Sequence, residues 1–367
     1  MSQSGIYSDL KMAWHMLRDG GLPDAPKQVQ IILSDLCNQN CSFCAYRMEG
    51  YTSNELFVGD SEKAAYGTNN PKRQMPGPRA FALLDECKRL GVAGLQFTGG
   101  GEPTVHKQHV EIFRRALDLG FKCSLVSNGL AWHDDLINLL PDFSWVRVSL
   151  DAGTAETYAR TRQTPPGNFD RVLSNVSCLA RHIRKREADC MLGVGYVVTP
   201  DNWQEVRQAA HLVRQTGAAY IRLSAMFNPD DALPYQDIYQ QILKSVRDVK
   251  ADYDSDGFTV YELFTDRMQD LFDGPPDYDR CAYQYYTAYV GGDMQAYRCC
   301  VLAYNRRGLI AGGDLKERAF DEFWRSEDRR RDFSGFNARG CERCQFNSKN
   351  RAANYVLGAK PRHAEFP

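Results

Sequence analysis

The sequence lacks an excess of either charge: 45 Lys and Arg stand against 46 Asp and Glu, a formal net charge of -1. No summed field therefore draws the chain to nucleic acid or to an anionic membrane. The four arginines between Arg325 and Arg331 are interleaved with Glu327 and Asp328 and read as a solvated helix face. Long hydrophobic runs are also missing; none approaches the roughly 20 apolar residues that span a bilayer. Met1 to Pro26 is broken by Asp9, Lys11, Arg18 and Asp19 and shows no secretory-signal order. No internal repeat or low-complexity tract appears. The expected compartment is the cytoplasm, with no membrane partner and no strong nucleic-acid signal.

Cysteine, by contrast, is plentiful. Twelve are present, and a long chain without an export signal is expected to keep them as thiols or metal ligands rather than disulfides. Cys37, Cys41 and Cys44 crowd one end. Cys281, Cys299, Cys300, Cys341 and Cys344 crowd the other. Cys87, Cys123, Cys178 and Cys190 lie in helix or strand patterns and read as buried structural residues.

Short apolar runs alternate with amphipathic ones from Gln28 onward, the pattern of strand-helix units on a parallel sheet. Strands are expected at Val29–Leu33, Gly94–Phe97, Lys122–Val126, Trp145–Leu150, Leu192–Val198 and Tyr220–Leu223. Helices are expected at Pro78–Leu90, His106–Leu119, Asp134–Leu140, Asn168–Arg186 and Asn202–Gln215. The fold class is α/β: a partial (β/α)6 TIM-type barrel with a small C-terminal α+β iron-sulfur module. The expected divisions are an N-terminal extension at 1–27, the barrel at 28–230, linker helices at 231–276 and the C-terminal module at 277–367. Arg47 to Pro76 forms a long polar insertion without periodicity.

Cys37-Asn38-Gln39-Asn40-Cys41-Ser42-Phe43-Cys44 follows the first strand as a CxxxCxxC array. Soft thiolates so spaced suit an iron-sulfur cluster or zinc, but a structural zinc site closes with four protein ligands and here no local fourth exists. Three ligands to a four-iron cluster leave one iron open to a substrate or cofactor.

With Phe43 just before the third cysteine, the array resembles that of the radical S-adenosylmethionine (radical SAM) superfamily, and the resemblance runs from about residue 28 to 225. It implies that the open iron binds the amino and carboxylate groups of S-adenosylmethionine, which reduction cleaves to a 5'-deoxyadenosyl radical. Thr98-Gly99-Gly100-Gly101-Glu102-Pro103 resembles the family's GGE motif, which holds the cofactor's amino group; taken alone it is a tight turn. Ser127-Asn128-Gly129 and Ser149-Leu150-Asp151 end the third and fourth strands and resemble segments lining the cofactor site, with helix capping the plainer reading for Asn128 and Asp151. Arg162, or Arg160 beside it, matches an arginine that meets the cofactor carboxylate, and Val198 with Val197 either packs on adenine or belongs to the core.

In the second group Cys281, Cys299 or Cys300, Cys341 and Cys344 make a four-ligand set for a [4Fe-4S] cluster or zinc; adjacency leaves Cys299, the favoured ligand, and Cys300 as alternatives. Val290–Tyr297 reads as a hairpin turning at Gly291-Gly292-Asp293, and Arg318–Phe333 as a helix. The layout resembles the twitch module, the single-cluster relative of the SPASM domain. Tyr285, Tyr286, Tyr289, Asp293 and Arg298 lie nearby and receive no catalytic role.

These residues lead to an enzyme with S-adenosylmethionine and two [4Fe-4S] clusters, reduced by a flavodoxin or ferredoxin. It abstracts hydrogen from a small-molecule, peptide or nucleoside substrate in a net two-electron oxidation aided by the auxiliary cluster. The alternatives are a redox-neutral epimerase, isomerase or decarboxylase of the same superfamily, and a metal-stabilised binding protein without catalysis.

Overall fold

The computed structural model describes residues 3–47, 74–227, 233–303 and 308–358. Most of the polar insertion between Arg47 and Pro76 lies outside these residues. The strands are β1 (Gln28–Ile31), β2 (Gly94–Phe97), β3 (Lys122–Ser127), β4 (Trp145–Ser149), β5 (Met191–Val198), β6 (Tyr220–Ala225), β7 (Thr259–Glu262), β8 (Thr287–Val290), β9 (Gln295–Tyr297) and β10 (Leu309–Asp314). Among the described residues they form one sheet in the order β10-β9-β8-β1-β2-β3-β4-β5-β6-β7. Neighbours from β8 through β1 to β7 are parallel, and β8, β9 and β10 are joined antiparallel.

The helices are α1 (Gln3–Asp19), α2 (Gly77–Leu90), α3 (His109–Asp118), α4 (Asp134–Leu139), α5 (Ala155–Arg162), α6 (Gly167–Lys185), α7 (Val206–Thr216), α8 (Tyr239–Tyr253), α9 (Phe264–Asp273), α10 (Tyr283–Tyr286), α11 (Cys300–Ala303), α12 (Phe320–Arg325), α13 (Glu327–Gly335) and α14 (Asn347–Gly358). Their ends follow sequence signals. Gly91 closes α2 at φ 86, where a Cβ would be strained, and Thr154 caps α5 by accepting from the Thr157 amide.

Alternation along each strand divides the sheet into two faces. Val29, Ile31, Leu125, Val146, Val148 and Val194 turn to the helices and join one continuous core. The residues between them, among them Gln30, Ser124, Arg147 and Arg222, turn to the inner face of the barrel.

Two expectations are corrected. Residues 231–276, read as linker helices, contain α8 and α9 but also β7, which pairs with β6 as a seventh parallel strand. The helix expected over Arg318–Phe333 breaks at Ser326, whose extended backbone (ψ 155) ends α12 and caps α13. The C-terminal strands extend the barrel sheet: β8 lies beside β1 in register, Gln28 opposite Thr287.

The C-terminal module is clamped to the barrel through α2. Glu86 takes two hydrogen bonds from Arg79, at 2.8 and 2.9 Å, and the Phe320 amide at 2.7 Å. Phe320, Phe323 and Trp324 of α12 are fully buried, and the Trp324 indole donates to the Asp24 carbonyl at 2.9 Å. Trp324→Ala is expected to cost about 3–5 kcal/mol in anaerobic denaturant unfolding, by loss of burial and an unfilled cavity; a cost under about 1 kcal/mol would show that α12 is not part of the cooperative core.

Candidate active site

The CxxxCxxC loop leaves the carboxyl end of β1, and neighbouring elements fix its path. The Asn40 amide donates to the Arg162 carbonyl at 3.1 Å and the Ser42 amide to the Thr161 carbonyl at 2.9 Å, pinning the loop to the last turn of α5. From the other side, the amides of Gly101 and Glu102 donate to the carbonyls of Ser34 and Leu36, at 3.0 and 2.8 Å. This approach explains the glycines. A Cβ on Gly101 would fall 2.0 Å from the Leu36 carbonyl oxygen, and one on Gly100 1.6 Å from Asp35 Oδ1.

Glu102 is buried and saturated with donors. Its Oε1 accepts from Ser127 Oγ and Thr104 Oγ1, both at 2.7 Å, and from the Thr104 amide; its Oε2 accepts the Asn128 amide at 2.7 Å. Burial pushes the Glu102 carboxyl up, and these hydrogen bonds oppose the shift. Ser127 also accepts from the Trp132 indole at 3.1 Å. Asn128 Nδ2 donates to Asn38 Oδ1 at 2.6 Å and approaches Cys37 Sγ at 3.9 Å. The turn after β2 and the end of β3 thus meet beneath the first cysteine.

The third cysteine-facing group is Arg162, only 3% exposed. Its Nη1 donates to Gln39 Oε1 at 2.9 Å and to Cys41 Sγ at 3.6 Å, while Nη2 pairs with Asp151 Oδ2. Burial opposes its charge, but Asp151 and Cys41 hold Arg162 well above its ordinary value. Arg160 turns outward to Thr157 Oγ1 and the Asp201 carbonyl, both at 3.2 Å. Asp151 Oδ1 takes the Val197 amide at 2.6 Å, and its backbone sits at φ 57. Phe43 lies with its ring 5.9 Å from the Arg162 guanidinium, and Ser149 is half-buried at the end of β4. Val198 has no exposed surface and belongs to the core; Val197 is the neighbour that presents surface there.

Sequence reasoning missed Gln39 and Tyr158. The Tyr158 hydroxyl accepts from Gln39 Nε2 at 2.7 Å, joining loop to helix. Its position four residues before Arg162, on the same helix face, was the available signal.

At the other end, Cys281, Cys299, Cys341 and Cys344 line one cavity with Tyr278 and Phe346. Cys300 instead accepts from Gln345 Nε2 at 3.0 Å and packs beside Ile32 and Tyr289. Burial, then the neighbouring thiols, pushes Cys281 up to about 12 and Cys341 to about 11. Cys344 Sγ accepts from the Phe346 amide at 3.3 Å and the Tyr278 hydroxyl at 3.5 Å. Four thiols so enclosed ionise readily only with a cation among them.

Both groups fit iron-sulfur ligation by donor chemistry: three thiols on one loop, of which Cys37 is met by Asn128 and Cys41 by Arg162, and four lining one apolar cavity. Among the described residues, no three His, Cys, Asp or Glu side chains gather closely enough to hold a single metal ion; a four-iron cube needs its ligands at separate corners.

Comparison with known proteins agrees with this architecture. The family described as the Radical SAM superfamily matches residues 31–213, about half of the chain. Probable GTP 3',8-cyclases of Saccharolobus islandicus are 26% identical over 202 residues, covering 54% of this chain and 56% of theirs. The chain thus spans about half the length of the curated relatives it matches. SuiB of Streptococcus suis bound to S-adenosylmethionine superposes with a TM-score of 0.59 at 13% identity, over 89% of this chain and 70% of that one. The structure described as native anSMEcpe with bound AdoMet gives 0.57 at 16% identity, over 90% and 97%. These two likenesses show the fold. The chain belongs to the radical SAM superfamily, whose enzymes use S-adenosylmethionine. No described helix is long and apolar enough to cross a membrane.

Proposed function

We propose that this enzyme removes two electrons and two protons from an organic substrate held inside the barrel. Cys37, Cys41 and Cys44 would hold the cluster that binds S-adenosylmethionine, and Cys281, Cys299, Cys341 and Cys344 a second [4Fe-4S] cluster in a twitch module. The observation that carries the reading is the cysteine loop locked between the glycine turn and Arg162, with a second set of four thiols enclosed elsewhere in the same chain.

When bound and reduced by a flavodoxin or ferredoxin, the first cluster and its cofactor supply a 5'-deoxyadenosyl radical. The protein's own work is positional. Gly99, Gly100 and Gly101 bring backbone close to the loop, and Glu102 fixes the ends of β2 and β3 by collecting their donors. Ser127, Asn128, Ser149 and Asp151 set the polar rim for the cofactor, with Val197 at its adenine side and Val198 packed in the core behind it. Arg162 places a cation and two donors against the loop, and Phe43 covers it. Cys281, Cys299, Cys341 and Cys344 would hold a group able to accept one electron from the substrate after it has given up a hydrogen atom, the second proton passing to water.

The test compares wild type with a Cys281/Cys299/Cys341/Cys344→Ala variant after anaerobic reconstitution. Iron is expected to fall from about 8 to about 4 per chain, with S-adenosylmethionine cleavage retained and oxidised product lost. Wild type holding about 4 Fe would remove the electron-acceptor role. Once a substrate is in hand, one cofactor should be consumed per product and no solvent deuterium should enter it; incorporation would move the enzyme to the redox-neutral class.

A further inference from the structure

We propose that the inner face of the barrel carries a binding site for the anionic group of the substrate, a phosphate or a carboxylate, formed by Arg147 and Arg222. The inference rests on the reading above only in placing the substrate inside the barrel.

Arg147 lies on β4 and Arg222 on β6, with β5 between them. In the sheet register Arg147 is opposite Gly193 and Arg222 opposite Gly195, so the two inward positions of the intervening strand that stand beside them lack side chains. The space is used. A Cβ on Gly195 would stand 3.4 Å from Arg147 Cδ, and one on Gly193 would fall 2.1 Å from the Tyr220 ring. Arg147 therefore reaches across β5 toward β6, over a floor made by Tyr220 and Tyr261, whose rings pack edge to face at 5.2 Å.

Among the described residues neither guanidinium finds a counter-charge there. Arg147 stacks on Trp145 at 5.5 Å, and the acid nearest to it electrostatically, Asp151, is already bound to Arg162 and to the Val197 amide. Arg222 makes one long hydrogen bond, to Ser224 Oγ at 3.4 Å, and its charged neighbours are Arg147 and Arg267. Arg267 is itself paired with Asp270. Among the described residues no carboxylate lies within 4.0 Å of either Arg147 or Arg222.

Burial and the two neighbouring guanidiniums push Arg222 down to about 9, which still leaves it charged at neutral pH. Two unneutralised like charges in a partly desolvated site cost stability, so packing alone does not account for them. Planar guanidinium forks match carboxylate and phosphate oxygens in paired hydrogen bonds, and an anion between β4 and β6 would neutralise both. Arg147 sits four residues before Asp151 on the same strand path. An anion held there would direct the rest of its molecule toward the strand ends where the cysteine loop lies.

Isothermal titration calorimetry on the full-length, cluster-loaded protein, with inorganic phosphate and with succinate at constant ionic strength, tests the site. At least one probe is expected to bind, and which one binds more tightly assigns phosphate or carboxylate. Arg147→Gln and Arg222→Gln are each expected to weaken that binding at least about tenfold, the loss of a charge-assisted hydrogen bond. Arg207→Gln, on the exposed face of α7, is expected to leave it unchanged. The site is overturned if neither probe binds, or if both inner-face variants bind as wild type does.

Stability without added anion separates binding from scaffolding. Arg222→Met should melt no lower than wild type; a large drop would make Arg222 a structural residue and overturn the proposal. Wild-type S-adenosylmethionine cleavage under dithionite is read separately. Its absence with anion binding intact would defeat the enzymatic reading alone, and the reverse would defeat the anion site alone.

Discussion

Replacing any one of Cys37, Cys41 or Cys44 with alanine is expected to bring 5'-deoxyadenosine formation down to background, whereas Cys178→Ala, in the middle of α6, leaves it near wild type. Each loop cysteine occupies a different position against the surrounding protein: Cys37 under Asn128, Cys41 beside Arg162, and Cys44 closing a turn through its amide to the Cys41 carbonyl at 3.2 Å. No other cysteine thiol in this loop exists to replace a missing one. A cube held at two corners is exposed to solvent and loses iron. Iron content should therefore fall by about 4 per chain in all three variants, with the far-ultraviolet circular dichroism of wild type retained. A variant that keeps full iron and still cleaves S-adenosylmethionine would remove these cysteines from the chemistry.

The second large effect is expected from the ion pair behind the loop. Asp151 and Arg162 are 2% and 3% exposed, and burial alone would drive both toward their neutral forms. Asp151→Asn keeps a residue type that tolerates the left-handed backbone at φ 57 but leaves the guanidinium uncompensated. Removing one partner of a buried pair costs about 3–5 kcal/mol, and the amide's remaining acceptor places this variant near the lower bound. The double variant Asp151→Asn/Arg162→Met should recover at least half of the loss because no buried charge is stranded. Guanidinium titration under anaerobic conditions, read as a shift in midpoint at constant slope, measures both. If the single variant costs under about 1 kcal/mol, water reaches the pair and it does not brace the loop.

Much of this arrangement was legible before any coordinates. The six barrel strands followed from apolar alternation, and their expected ranges agree with β1 to β6 within two residues at each end. Cys37, Cys41 and Cys44 stood out by spacing, and the hairpin by its Gly-Gly-Asp turn. Other features depended on distant partners. β7 has four residues, Thr259–Glu262, too few to establish a period, and it is a strand because β6 offers an unpaired edge. The break at Ser326 had a local signal, a serine followed by Glu327 and Asp328 at a helix start, hidden within a longer apolar rhythm. Arg162 was chosen from a motif, but its attachment to Asp151 and Gln39 joins residues 11 and 123 apart in sequence. No local pattern encodes such pairings. Arg147 and Arg222 were passed over because a single arginine in a strand gives no sign of which face it occupies.

The pairing of β1 with β8 bears on how the chain is made. Ala288 completes a ladder begun at Val29, so one flank of the first strand waits until nearly the whole polypeptide has left the ribosome. At about 5–20 residues per second that delay is roughly ten seconds to a minute. During it, β1 exposes unpaired amides and carbonyls beside apolar Val29 and Ile31, a template for pairing between nascent chains. Expression yield should therefore depend strongly on temperature and on chaperone supply, and a chain ending before β8 should collect in the insoluble fraction even though every cysteine of the first cluster is present.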